Sequence, residues 1–141
     1  MKNYNINNLP EEMQKIIGEL KQSKNKLDCL HKAYDALTAK HRGYRYATIT
    51  HFSNLFIKNP NELWDKREKI LCTNLNHLLK ILLVGSGFFM DKDVKKKWTS
   101  VGYTSPHQYL RVKINDNQYI NVDVWGKANG IEFGDYAHGF H

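Results

Sequence analysis

Cys72, His107 and Asp123 supply a thiol, an imidazole and a carboxylate in chain order. A sulfur nucleophile needs those three groups: the thiol itself, a base to take its proton and a carboxylate to orient the base. The thiolate is the reactive form, and both a helix N-terminus and a neighbouring imidazolium favour it. Cys72 directly precedes Thr73-Asn74 and a leucine-rich stretch, so it stands where a helix begins. Its backbone N–H is then one of the donors without an intrahelical partner, free to face a developing oxyanion. The resulting chemistry is attack on an amide carbonyl, formation of a thioester and departure of an amine that collects its proton from the ring.

The elements that must hold these groups follow from periodicity. Leu75, Leu78, Leu79, Leu82 and Leu83 fall at i, i+3, i+4, i+7 and i+8, predicting a helix from Cys72 to Val84 with a buried face. Gly85-Ser86-Gly87 stops it. Upstream, residues 10–22 read as a helix with Pro10 at its first position, Glu11 and Glu12 in its first turn, and Met13, Ile16, Ile17 and Leu20 on one stripe. A second helix over 26–41 carries Leu27, Leu30, Ala33, Tyr34 and Leu37 and stops at Gly43. Asn59-Pro60-Asn61 opens a short helix leading through Leu63, Trp64 and Arg67 towards Cys72, whereas residues 44–58 show mixed periodicity.

After the leucine helix the pattern changes to period two. Leu110, Val112 and Ile114 alternate with polar neighbours, as do Ile120, Val122 and Val124. Helices followed by sheet predict an α+β fold: N-terminal helices and a central nucleophile helix packed on an antiparallel β-sheet. Residues 88–105 read as a loop that helps wall the cleft, and Ile131, Phe133 and Tyr136 alternate as if to add an edge strand.

The hairpin register can be tested against this pattern. With Asn115-Asp116-Asn117 as the loop, Ile114 faces Gln118, Val112 pairs with Ile120 and Leu110 with Val122, giving one apolar face. The other face then carries His107, Tyr109, Asp123 and Trp125, with His107 diagonal to Asp123. A two-residue Asp116-Asn117 loop would mix apolar with polar partners and set His107 and Asp123 on opposite faces.

Composition bounds the rest. The 141 residues carry no internal repeat or low-complexity tract and fit one domain. Cys29 and Cys72 are too few for a disulfide framework, and Cys29 lies on an apolar helical stripe as a small buried hydrophobe. His138 and His141 lack a second ligand pair, and no dense carboxylate loop is present, so neither metal nor cofactor is expected. The net charge is +7. The cluster of Lys92 and Lys95-Lys96-Lys97 reads as a solvated basic loop rather than a phosphate tracker, so nucleic acid is not the expected partner. The longest apolar run, Ile81 to Val84, is far too short for a membrane span. The first residues lack an apolar leader segment, so a cytoplasmic protein is expected.

From Leu27 to Gly126 the chain resembles the transglutaminase-like superfamily, which includes cysteine peptidase-like members and is related to the papain-like fold. Leu30 to Leu37 resembles the helix before the family core, and Arg67 to Asn76 the entry to the nucleophile helix. Leu82 to Phe88 is similar to that helix's end, Pro106 to Val112 to the histidine strand and Tyr119 to Val124 to the aspartate strand. The resemblance implies an extension over 1–25 ahead of a catalytic domain over 26–141, with Cys72 as nucleophile, His107 as general base and Asp123 as orienting carboxylate. It implies a metal-independent peptidase, deamidase or transamidase acting on a peptide or protein amide. Tyr46, His51 and Trp64 are candidates for a second oxyanion donor. The competing reading is an inactive module of the same fold that binds a protein or nucleic acid through its basic surface.

Overall fold

The computed structural model describes residues 5–41, 58–65, 71–102 and 105–138. Among the described residues four helices precede a three-stranded antiparallel sheet of order β1-β2-β3, an α+β arrangement. Gly43, Arg67 and nearly all of 44–58 lie outside the described residues.

Helix α1 (Glu11–Leu20) begins with Glu11 and Glu12, whose charges complement the positive end of the helix dipole. It buries Met13, Ile17 and Leu20. Helix α2 (Lys26–Lys40) is capped reciprocally. The Asn25 side chain accepts the Asp28 N–H at 2.9 Å, and Asp28 accepts the Lys24 N–H at 2.9 Å. Cys29, Leu30, Ala33, Tyr34 and Leu37 form its buried stripe, and extended backbone at His41 ends it. Helix α3 (Pro60–Asp65) buries Leu63 and Trp64.

Helix α4 (Cys72–Gly85) occupies the centre, with α1, α2, α3 and β2 packed around it. That position explains its leucines: Leu75, Leu78, Leu79, Leu82 and Leu83 are all fully buried. Truncating one of them to alanine costs about 2–5 kcal/mol. Gly87, at φ 84°, makes the left-handed turn out of the helix region. Because α1 contributes Met13, Ile17 and Leu20 to the same core, the first helix is integral to the packing.

Two expectations are corrected in the sheet. Residues 94–101, within the expected loop over 88–105, form strand β1 (Val94–Val101), antiparallel to β2 (Ser105–Asn115). Only Val94 and Val101 of that strand are buried, because among the described residues it lies at the sheet edge and needs no apolar alternation. Among the described residues the C-terminal tail adds no strand and makes a single bridge, Asn121 to Gly134, while residues Trp125–Asn129 coil into a 3-10 turn.

The hairpin to β3 (Gln118–Val122) resolves the register question in an unexpected way. Val112 pairs with Ile120 and Leu110 with Val122, as the apolar pattern requires. The loop is nevertheless Asp116-Asn117, with Asn115 rather than Ile114 opposite Gln118. A bulge between Lys113 and Asn115 absorbs Ile114 and restores the register that a two-residue loop alone would have shifted.

Candidate active site

Cys72 is the first residue of α4. Asn74 accepts the Leu71 N–H at 3.2 Å, which fixes the entry of the chain into the helix. Leu71 has no polar side chain to return the favour to the first turn. As at any helix start, the N–H groups of Cys72 and Thr73 have no carbonyl one turn back within the helix. The thiol is buried, and it lies in hydrogen-bonding contact with the His107 imidazole.

His107 sits in β2 opposite Thr99, and Gln108 follows it with its side chain on the other face of the strand. Both are buried, so the strand is covered on both sides here. On one side, Asn76 of α4 donates to the Gln108 carbonyl at 2.9 Å and to its side-chain oxygen at 3.3 Å. Asn76 lies one turn beyond Cys72, so this joint fastens α4 to the strand that carries His107.

On the other side, the His107 Nε2–H donates to Asp123 Oδ2 at 2.6 Å. Asp123 lies immediately after β3 and its side chain is fully buried. Its two oxygens accept two backbone donors as well: Gly126 N–H at 2.9 Å on Oδ1 and Ala137 N–H at 2.8 Å on Oδ2. Three donors on one carboxylate offset its desolvation and hold it in a single orientation. Trp125 lies against the imidazole, ring centroids 4.7 Å apart, and shields it from water.

The electrostatics follow from this packing. Burial by itself lowers the His107 pKa, but the hydrogen bond to Asp123, the contact with Cys72 and the charges of both outweigh it. The net result is a histidine pushed up from 6.5 to about 9, an imidazolium at neutral pH. Burial raises the Tyr34 hydroxyl to about 12, helped by the Asp123 charge, so this neighbour stays neutral. Cys29 behaves differently from Cys72. It is fully buried against Ser86 at 3.4 Å, and burial raises its thiol pKa.

The structure therefore brings Cys72, His107 and Asp123 together. Among the candidate second donors, Trp64 is engaged elsewhere: its indole N–H donates to Glu12 at 2.9 Å. Tyr46 and His51 lie outside the described residues. Asn76, Gly126 and Ala137 escaped the sequence reading. Gly126 had a visible signal, since it falls three residues after Asp123, the spacing at which a carboxylate caps a turn. A Cβ on Gly126 would lie 2.9 Å from the Asp123 carboxylate and 2.9 Å from Ile131, so only glycine fits. Ala137 acts through its backbone and leaves no signature in residue type.

No protein-family model, curated protein or solved structure matches the chain. Among the described residues no helix is long and apolar enough to cross a membrane.

Proposed function

We propose that the protein is a thiol-dependent acyl-transfer enzyme of the transglutaminase-like type, with a papain-like arrangement of nucleophile helix and sheet. Its substrates would be amide or peptide bonds. The observation that carries this reading is the buried His107–Asp123 pair at 2.6 Å with the Cys72 sulfur on the same imidazole.

In this reading the sulfur attacks as a thiolate while His107 carries the proton. The sulfur attacks the substrate carbonyl, and the oxyanion takes hydrogen bonds from N–H groups in the first turn of α4. As the carbon–nitrogen bond breaks, the imidazolium gives its proton to the leaving amine, and a thioester remains on Cys72. Neutral His107 then takes a proton from water or from an incoming amine, which attacks the thioester. The first gives a carboxylic acid, the second a new amide, and both return the proton to the ring and the thiolate to Cys72. Asp123 holds Nε2 throughout and stabilises the charged ring.

The test is alkylation of the native chain by iodoacetamide at pH 6, read per cysteine by mass spectrometry. Cys72 should react faster than N-acetylcysteine, and His107→Ala should abolish the advantage. Reaction no faster than the free thiol, unchanged by His107→Ala, would end the activated-thiol reading. Peptide and glutamine-amide substrates with hydroxylamine as acceptor then separate hydrolysis from transamidation, because only an acyl-enzyme yields the hydroxamate.

A further inference from the structure

Beside the first turn of α4 opens a groove of about 1280 Å³. Its wall includes Thr73 and Asn74, which follow Cys72, and Gln108, which follows His107. Lys58, Lys80, Lys92, Lys95, Lys96 and Lys97 also line it, with Asp91 the one carboxylate among the described lining residues. Asp91 is already bonded to Lys80 at 3.0 Å, so among the described lining residues positive charge is in excess. These lysines come from four places: the segment before α3, α4, the Asp91–Asp93 turn and β1. Partial desolvation lowers the Lys96 pKa, and repulsion from Lys80 and Lys58 lowers it further. Converging like charges destabilise the empty groove, and an anionic occupant relieves that cost.

The shape argues for an extended chain. The volume exceeds the roughly 300–1,000 Å³ typical of a small-molecule pocket. Four successive residues of β1, Val94 to Lys97, line the groove, and β1 is an edge strand with β2 as its one partner among the described residues. Main-chain groups along such an edge pair with an added strand. Lysines on an edge deter pairing between copies of the same chain, whereas they admit a strand of opposite charge. No Phe, Tyr or Trp appears among the described lining residues to stack nucleic-acid bases.

We propose that this groove binds an extended acidic polypeptide segment. The binding does not depend on the acyl-transfer reading above.

The experiment uses the full chain carrying Cys72→Ala and fluorescence anisotropy at low salt. The probes are a labelled deca-glutamate peptide, a neutral Gln/Ser peptide of equal length and an oligo-dT of similar charge. The acidic peptide should bind at least about 10-fold tighter than the neutral one. The combined Lys95→Gln, Lys96→Gln, Lys97→Gln variant should weaken it by about 10-fold or more. Lys58→Gln with Lys92→Gln, which leaves the strand untouched, should weaken it in the same direction. Equal binding of the neutral peptide, tighter binding of the oligonucleotide, or unchanged affinity in both lysine variants would overturn the proposal. Alkylation of wild-type Cys72 is read separately. Fast alkylation without acidic-peptide binding sinks the groove alone, and peptide binding with slow alkylation sinks acyl transfer alone.

Discussion

Replacing Asp123 with asparagine tests the site where its energetics are largest. The carboxylate accepts from His107, Gly126 and Ala137 at 2.6, 2.9 and 2.8 Å. An amide has the same shape, but its –NH2 group must face at least one of those donors. The His107 pKa stands at about 9 against an ordinary 6.5, and at about 1.4 kcal/mol per pH unit that difference corresponds to about 3 kcal/mol. Because the folded value is raised, this stabilisation is fully present below about pH 6.5 and fades as pH rises through about 9. Asp123 supplies the larger share of the upward shift and Cys72 the remainder. Asp123→Asn should therefore lose more stability at pH 6 than at pH 9.5, by about 2 kcal/mol in urea unfolding. An NMR titration of the His107 ring should show the imidazolium surviving to about pH 9 in the wild type, as its pKa requires. In the variant, burial is opposed by Cys72 alone, and the ring should be neutral at pH 8. A wild-type ring that titrates near 6.5, or an equal loss of stability at both pH values, would refute the reasoning.

Further outcomes follow from neighbouring contacts. Gly126→Ala forces a Cβ to within 2.9 Å of the Asp123 carboxylate; it should cost about 1–3 kcal/mol by overpacking and slow Cys72 alkylation, measured by thermal unfolding and mass spectrometry. Asn76→Ala removes the donor to the Gln108 carbonyl at 2.9 Å; leaving buried acceptors unpaired should cost about 1–3 kcal/mol and lower the Cys72 alkylation rate. Cys29, fully buried beside Ser86, should remain unlabelled by iodoacetamide in the native chain and become labelled in urea.

Legibility in the sequence tracked how directly each feature depends on residue type. The leucine spacing located α4 to within a residue, because a helix enclosed by other elements must be apolar around most of its surface. The strand pairing was readable because a one-residue slip would have placed Leu110 and Val112 against polar partners. The turn was misread because bulges are set by local backbone geometry, and Ile114 carries no sign that it is the extra residue. β1 was missed for a related reason: an edge strand with two exposed faces is free to be written in lysines. The basic groove was illegible because Lys58 and Lys80 are distant in sequence from Lys95, Lys96 and Lys97, and only folding gathers them.

The hydrogen bonds to Asp123 make the site part of the fold's own packing rather than an addition to a finished scaffold. Its partners come from strand β2, from the 3-10 turn that starts at Trp125, and from the tail at Ala137. Tyr136, beside Ala137, stacks on Tyr109 of β2 with ring centroids 4.0 Å apart, so the tail is fastened to the histidine strand next to the site. These donors fix the carboxylate as the acceptor for Nε2, and its hydrogen bond and charge raise the His107 pKa against the effect of burial. The tail thereby reaches the imidazole through one intermediary, from Ala137 to Asp123 to His107.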